Sequence, residues 1–91
     1  MIFPKPNPEV FTIYSKLDCL YCLRAKCILE WYNHDIVECD KYLENDRQRF
    51  LSDMQELTKY PVKTFPFIFY GDHYIGGYNE LVQHLKSNSI I

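Results

Sequence analysis

The sequence lacks both an excess of positive charge and a long apolar run. Twelve Asp and Glu residues outnumber ten Lys and Arg residues, which leaves a formal net charge of −2 at pH 7. A protein that holds nucleic acid needs a basic surface, so this balance argues against nucleic acid as a partner. No stretch approaches the roughly 20 apolar residues of a membrane span. We therefore expect no contact with a membrane.

The amino-terminal stretch MIFPKPNP contains three prolines and no apolar run of signal-peptide length. We expect a cytoplasmic protein, in a compartment where thiols are kept reduced. Of the 91 residues, 47% are hydrophobic and 24% are charged, which is typical of a globular protein. Because the chain has no repeat, low-complexity segment or linker, we predict a single domain over residues 1–91.

The pattern of apolar and turn residues predicts an alternation of strands and helices. A capping-box pattern, Asn45 with Gln48, predicts the start of a helix that ends at Tyr60-Pro61. Helical spacing of apolar residues predicts two more helices, at 21–33 and from 78 onward. β-rich stretches bounded by turn residues predict strands at 9–14, 35–39, 67–70 and 73–75.

The order of these elements is β-α-β-α-β-β-α. The first βαβ crossover predicts a parallel pair of strands with a right-handed connection, and the tight Gly71-Asp72 turn predicts an antiparallel pair. The predicted fold class is therefore α/β and thioredoxin-like, with a mixed four-stranded sheet flanked by helices.

Four apolar residues recur at helical spacing in the first predicted helix: Leu20, Leu23, Cys27 and Trp31. We interpret them as the face that packs on the sheet, which makes Cys27 a core residue. Cys39, at the end of a predicted strand, is interpreted as a core residue too.

Cys19 and Cys22 stand in a C-x-x-C spacing within the stretch SKLDCLYCLRAKC. Cys19 falls where the first loop meets the first helix, and the N–H groups and partial positive charge of a helix N-terminus favour a thiolate there. Only the thiolate is a nucleophile. Cys22, one turn further on, could attack a mixed disulfide on Cys19, and Lys16 adds a nearby cation. The pattern favours redox chemistry.

Two other readings of the cysteines remain open at this point. A structural zinc site needs a second pair of ligands, but Cys39 has no cysteine or histidine three positions away, and His34 and Cys27 fit only with awkward geometry. A purely structural disulfide is disfavoured in a reducing compartment. We therefore predict no metal ligand set.

Three motifs follow one another in the predicted order of elements. They are K-x-x-C-x-x-C at 16–22, T-F-P at 64–66 and I-G-G-Y-N-E-L at 75–81. With these motifs, nearly the whole sequence resembles the glutaredoxin family, of the dithiol, C-x-x-C type. The resemblance implies that Cys19 and Cys22 are the catalytic residues.

The resemblance also implies a glutathione site. In glutaredoxins the proline of the T-x-P motif is cis, which implies that role for Pro66, and the preceding residue, here Phe65, pairs its backbone with glutathione. The other contacts that the resemblance implies are Lys16 for the glycyl carboxylate, Tyr21 for the sulfur groove, Thr64 beside it, and Gly77, Tyr78 and Asn79 for the γ-glutamyl carboxylate. The unpaired N–H groups and the dipole of a helix favour an anion at its N-terminus, which agrees with a carboxylate at the start of the last helix.

The implied activity is that of a glutathione-dependent thiol–disulfide oxidoreductase acting on protein disulfides and on glutathionylated proteins. The expected reduction potential is on the order of −200 to −230 mV. One alternative within the class is a protein that thioredoxin reductase reduces and that serves ribonucleotide reductase. The alternative from another class is an iron–sulfur carrier or sensor, with a [2Fe–2S] cluster held between two subunits with glutathione.

The sequence departs from the family pattern at three places. Leu20-Tyr21 stands between the cysteines where dithiol members usually have Pro-Tyr, and this departure opens the iron–sulfur alternative. Asn79 replaces a common aspartate. The stretch after the second helix is long, so a further cation for glutathione has no assigned position; the candidates are Arg47, Arg49 and Lys63.

Overall fold

The computed structural model describes residues 1–61 and 64–88 and contains seven helices and strands within them. Their order, β-α-β-α-β-β-α, confirms the prediction. They are β1 (Phe11–Ser15), α1 (Leu20–Leu29), β2 (His34–Glu38), α2 (Asp40–Thr58), β3 (Phe67–Tyr70), β4 (His73–Gly76) and α3 (Tyr78–Ser87). Within these two ranges, no helix combines the length and the apolar content of a membrane span.

The four strands form one mixed sheet in the order β2-β1-β3-β4. β1 pairs with β2 in parallel and with β3 antiparallel, and β3 pairs antiparallel with β4. As a result, the carboxyl ends of β1, β2 and β4 lie at the same edge of the sheet as the amino end of β3. The segments that leave or enter the sheet there are 16–19, 39–40, 64–66 and 77–79.

The core has two parts, one on each face of the sheet. All five residues of β1 are buried, and its side chains alternate between the faces. Phe11 and Ile13 face α1 and α3, while Tyr14 faces α2. The part that faces α1 and α3 also contains Ala25, Leu29, Ile68, Leu81 and Leu85. The part that faces α2 also contains Phe3, Cys39, Phe50, Met54, Phe67 and Phe69.

The predicted buried face of α1 is wrong. The residues that α1 buries are Cys22, Ala25 and Leu29, on the opposite side of the helix from Cys27. Leu20, Leu23, Cys27 and Trp31 are all exposed. Both sides of α1 carry apolar residues at helical spacing, so periodicity alone cannot distinguish the face that packs. The side that packs on the sheet is the one with the smaller side chains, Cys22, Ala25 and Leu29, because Ala25 allows the helix to approach the strands closely.

The predicted start of α2 is also wrong. The helix begins at Asp40 instead of Asn45, and its backbone leaves the helical conformation once, at Asp46. There the Asp46 carboxylate accepts a hydrogen bond from the backbone N–H of Arg49 at 3.0 Å. This is the geometry of an N-cap, one residue later than the pattern of Asn45 and Gln48 suggests. Cys39 is buried, as expected, but as the residue before α2.

We expect two equivalent substitutions in α1 to separate its two faces. Leu29 is 0% exposed and Leu23 is 59% exposed. Leu29→Ala should lower the free energy of unfolding by about 2–5 kcal/mol, because it leaves a cavity in the core. Leu23→Ala should change it by less than about 0.5 kcal/mol. Urea denaturation of both variants at low protein concentration measures the difference; equal losses would contradict the packing of α1.

Candidate active site

Cys19 is the N-cap of α1, and its sulfur takes the place of a capping oxygen. Its backbone is extended, with φ −128° and ψ 103°, and the N–H of Cys22 donates to Cys19 Sγ at 3.2 Å. The first turn of α1 contains no acidic side chain. The Cys19 sulfur therefore lies at the positive end of a helix dipole with a hydrogen-bond donor directed at it, an environment that stabilises a thiolate.

The two cysteines of the motif differ in their access to solvent. Cys19 is partly exposed, whereas Cys22 is buried on the inner face of α1. Their sulfur atoms are joined as a disulfide. The pair can therefore exist as a disulfide within one turn of helix, with Cys19 as the sulfur that outside molecules reach more easily.

The loop between β1 and α1 is held by the start of α2. The backbone N–H of Leu17 donates to both carboxylate oxygens of Asp40, at 3.1 and 3.3 Å. Cys39 N–H donates to Ser15 O at 2.8 Å, which fixes the same two segments to each other. Asp18 adopts the left-handed backbone conformation, with φ 54°. Sequence reasoning missed Asp40, because its role depends on the parallel pairing of β1 and β2.

A second segment, 64–66, approaches the cysteines from the start of β3. The Phe65–Pro66 peptide bond is cis, as predicted. Phe65 O lies 3.9 Å from Cys19 Sγ. The Phe65 ring stacks on Phe50 of α2, with the ring centroids 5.7 Å apart. This packing fixes the position of Phe65 beside the disulfide.

The start of α3 forms the far side of the site. Gly77 is the N-cap of α3, and its N–H donates to Glu80 Oε1 at 2.8 Å. Gly76 has φ 131°, and a Cβ there would lie 2.6 Å from Glu80 Cγ. The glycine therefore leaves the space that lets the Glu80 side chain fold back over the helix start. Sequence reasoning missed Glu80, although its place three residues after the N-cap is a capping signal.

A groove of about 220 Å³ lies between these segments. The rings of Tyr21 and Tyr78 meet across it, with centroids 5.8 Å apart. Seven of the eight residues predicted to bind glutathione line this groove, together with Glu80: Tyr21, Thr64, Phe65, Pro66, Gly77, Tyr78 and Asn79.

The eighth predicted residue, Lys16, lines an adjoining cavity of about 490 Å³ that also contains Cys19, Thr64 and Phe65. Arg47 lies in the same cavity, so the structure brings one of the candidate cations to the site. Arg49 instead forms an ion pair with Asp53 at 3.3 Å. Lys63 lies outside the described residues.

The two remaining cysteines lie away from the disulfide. Cys27 is exposed on the outer face of α1, and Cys39 is buried. Burial, together with the nearby carboxylates of Glu38 and Asp40, raises the pKa of the Cys39 thiol to about 12. A thiol of this kind is inert at neutral pH. In the part of the chain that the structure describes, no three His, Cys, Asp or Glu side chains form a metal-binding group.

The fold and the site together define a class: thioredoxin-fold proteins with a redox-active C-x-x-C disulfide. Comparison with known proteins is more specific. The glutaredoxin family model matches residues 11–75. Glutaredoxin 1 of Escherichia coli (strain K12) is 30% identical over 78 residues, which cover 84% of this chain and 92% of that protein.

Solved structures of glutaredoxins have the same fold as this chain. The crystal structure of glutaredoxin 1 from Francisella tularensis, complexed with cacodylate, superposes with a TM-score of 0.74 at 29% identity, covering 89% of this chain and 96% of that one. The crystal structure of a buckwheat glutaredoxin–glutathione complex gives a TM-score of 0.72 at 25% identity, covering 90% and 71%. The chain belongs to the glutaredoxin family.

Proposed function

We propose that this protein is a glutathione-dependent oxidoreductase that reduces glutathionylated proteins and protein disulfides. The observation that carries the proposal is the placement of Cys19 Sγ. It accepts the N–H of Cys22 at the start of α1 and lines the cavity that contains Lys16. It also lies 3.9 Å from the backbone oxygen of Phe65, a residue that lines both this cavity and the groove at the start of α3. A reactive sulfur and a cleft for a small peptide thus meet at one point.

The cleft matches the charges of glutathione. Glutathione carries a carboxylate at each end and an ammonium group beside one of them. Lys16, with Arg47 in the same cavity, supplies positive charge for the glycyl carboxylate. The N–H groups at the start of α3 suit the γ-glutamyl carboxylate, and the Glu80 carboxylate suits the neighbouring ammonium. The backbone of Phe65 lies between, within reach of the cysteinyl part.

For a glutathionylated protein, the Cys19 thiolate attacks the glutathione sulfur. A bond forms between Cys19 and glutathione, the bond between that sulfur and the protein breaks, and the protein thiolate takes up a proton from water. A second glutathione, as its thiolate, then attacks the glutathione sulfur on Cys19. Glutathione disulfide leaves, and the Cys19 thiolate returns. The net reaction consumes one free glutathione: the protein is released as a thiol, and its glutathione leaves joined to the second one as glutathione disulfide.

For a protein disulfide, Cys19 attacks one of the two substrate sulfurs and is joined to the protein by a mixed disulfide. Cys22, buried one turn along α1, then attacks Cys19 Sγ as a thiolate. The reduced substrate leaves, and the Cys19–Cys22 disulfide of this structure remains. Two glutathione molecules reduce that disulfide and are released as glutathione disulfide.

The two cysteines should have separable roles. Cys19→Ser should abolish turnover of a small glutathione mixed disulfide and of a protein disulfide, because no other exposed sulfur lies at the start of α1 in the described chain. Cys22→Ser should keep activity on the mixed disulfide and lose it on the protein disulfide. A coupled glutathione reductase assay measures both. An active Cys19→Ser with an inactive Cys22→Ser would reverse the assignment.

Lys16 should contribute to binding of glutathione. Lys16→Ala should raise the apparent KM for a glutathione mixed disulfide about three- to tenfold with a smaller change in kcat, because it removes a carboxylate partner. The effect should shrink at high salt. The matched control is Lys86→Ala, which removes the same charge from an exposed site at the other end of α3 and should leave KM unchanged. Equal KM values for the two variants would contradict the cleft assignment.

A further inference from the structure

α1 carries an apolar ridge on the side that faces solvent. The ridge consists of Leu23, Cys27 and Trp31, spaced four residues apart. Leu23 is 59% exposed, Cys27 is exposed, and Trp31 is 86% exposed. Trp31 follows the end of α1, in a turn that its N–H closes by donating to Ile28 O, three residues back, at 3.2 Å. The ridge therefore spans two turns of one continuous surface.

An open groove of about 580 Å³ runs beside this ridge, lined by Cys27, Ile28, Trp31 and Tyr32. Several exposed apolar side chains that adjoin one another beside a groove form a surface suited to interaction. Tryptophan is one of the residue types enriched among those that contribute most of the binding free energy in protein interfaces. A partner on this face would bury the Trp31 ring, which is otherwise 86% exposed.

Two opposite charges flank the ridge, one on each side. With 3.6 residues per turn, Arg24 lies about 60° to one side of Cys27 and Glu30 about 60° to the other. Glu30 keeps a right-handed helical backbone, which supports this placement. Neither side chain forms an ion pair within residues 1–61 and 64–88. The surface is therefore an apolar line with a positive flank and a negative flank.

We propose that two copies of this chain associate through the ridge, α1 against α1, about a two-fold axis that runs along it. Such an axis brings the positive flank of each copy against the negative flank of the other. Arg24 then faces Glu30 of the partner subunit, and Glu30 faces the partner's Arg24. The apolar side chains of the two ridges pack beside each other, with Cys27 next to the partner's Cys27.

The charge pattern favours a second copy over an unrelated protein, because the surface is complementary to itself. A two-fold interface requires this property: the same patch must serve on both sides. Side chains four residues apart form the ridge that packs in the commonest class of helix pairs, at a crossing angle of about −50°. Because two short helices bury a small area, the dimer should be weak and concentration-dependent.

The proposed contact leaves the glutathione groove free. Tyr21, the groove residue on α1, lies about 120° around the helix from Cys27. Arg24 lies over the ring of Tyr21, with its guanidinium carbon 5.5 Å from the ring centroid. The Glu30→Arg and Trp31→Ala variants therefore separate a failure of the self-association from a failure of the proposed function.

Sedimentation equilibrium of the reduced protein between about 5 and 500 µM tests the association. The wild-type chain should shift from monomer to dimer. Arg24→Glu and Glu30→Arg should each remain monomeric, because each places like charges opposite one another at both flanks. The double variant, Arg24→Glu with Glu30→Arg, should recover the dimer. Trp31→Ala should be monomeric and retain wild-type kinetics on a small glutathione mixed disulfide.

The matched control is Glu44→Arg, which makes the same change of charge at an exposed position of α2 and should dimerise like the wild type. All altered side chains are exposed, and circular dichroism checks that each variant folds. A wild-type chain that stays monomeric at the highest concentration would overturn the proposal. So would a dimer that persists in Glu30→Arg, or a double variant that fails to recover it.

Cys27 gives a second readout of the same geometry. In a Cys19→Ser, Cys22→Ser background, diamide can oxidise two Cys27 thiols to one disulfide, and the diamide takes up the two electrons and two protons. A covalent dimer should form rapidly at concentrations where the chain associates, and at least tenfold more slowly with Glu30→Arg added. Equal rates would mean random collision and would overturn the placement of Cys27 at the axis.

Discussion

The hydrogen bond from the N–H of Cys22 to Cys19 Sγ is the interaction on which the site depends. A helix start leaves its first N–H groups without partners, and in most helices a side-chain oxygen of the N-cap accepts one of them. Here a sulfur does so. The same contact begins α1, holds the two cysteines one turn apart and directs partial positive charge at the sulfur that solvent reaches. This one hydrogen bond therefore both caps α1 and stabilises the thiolate of Cys19.

The sheet order brings the rest of the site to that sulfur. β1 runs parallel to β2 and antiparallel to β3, so four chain segments far apart in sequence meet at one edge. Asp40 holds the loop before Cys19, and Phe65 is held by its contact with Phe50. Each segment comes from a different element, yet each is attached to the buried core. A cleft built this way can keep its shape while its disulfide opens and closes.

The element order, the sheet and the residues around the cleft could be predicted from the sequence, because strand and turn signals are local and the motifs occur in order. The buried face of α1 could not. Cys22, Ala25 and Leu29 on one side and Leu23 and Cys27 on the other both follow helical spacing, and only packing on the sheet distinguishes them. The capping pattern at Asn45 predicts a cap one residue before the break at Asp46, since Asn and Asp are equally good caps, and it does not predict the start of α2 at Asp40. The role of Asp40 depends on a tertiary contact, whereas Glu80 has a local capping signal in the sequence.

The rate of alkylation of Cys19 tests the central claim most directly, and the chain contains its own control. Cys27 is an exposed thiol in the body of α1, away from the N-terminal N–H groups. The reduced protein, at a concentration low enough to keep it monomeric, would be treated with limiting iodoacetamide at pH 6, and the modification of each cysteine followed by peptide mass spectrometry. If the helix start holds Cys19 as a thiolate, Cys19 should react at least about tenfold faster than Cys27. Equal rates at the two cysteines would contradict the account.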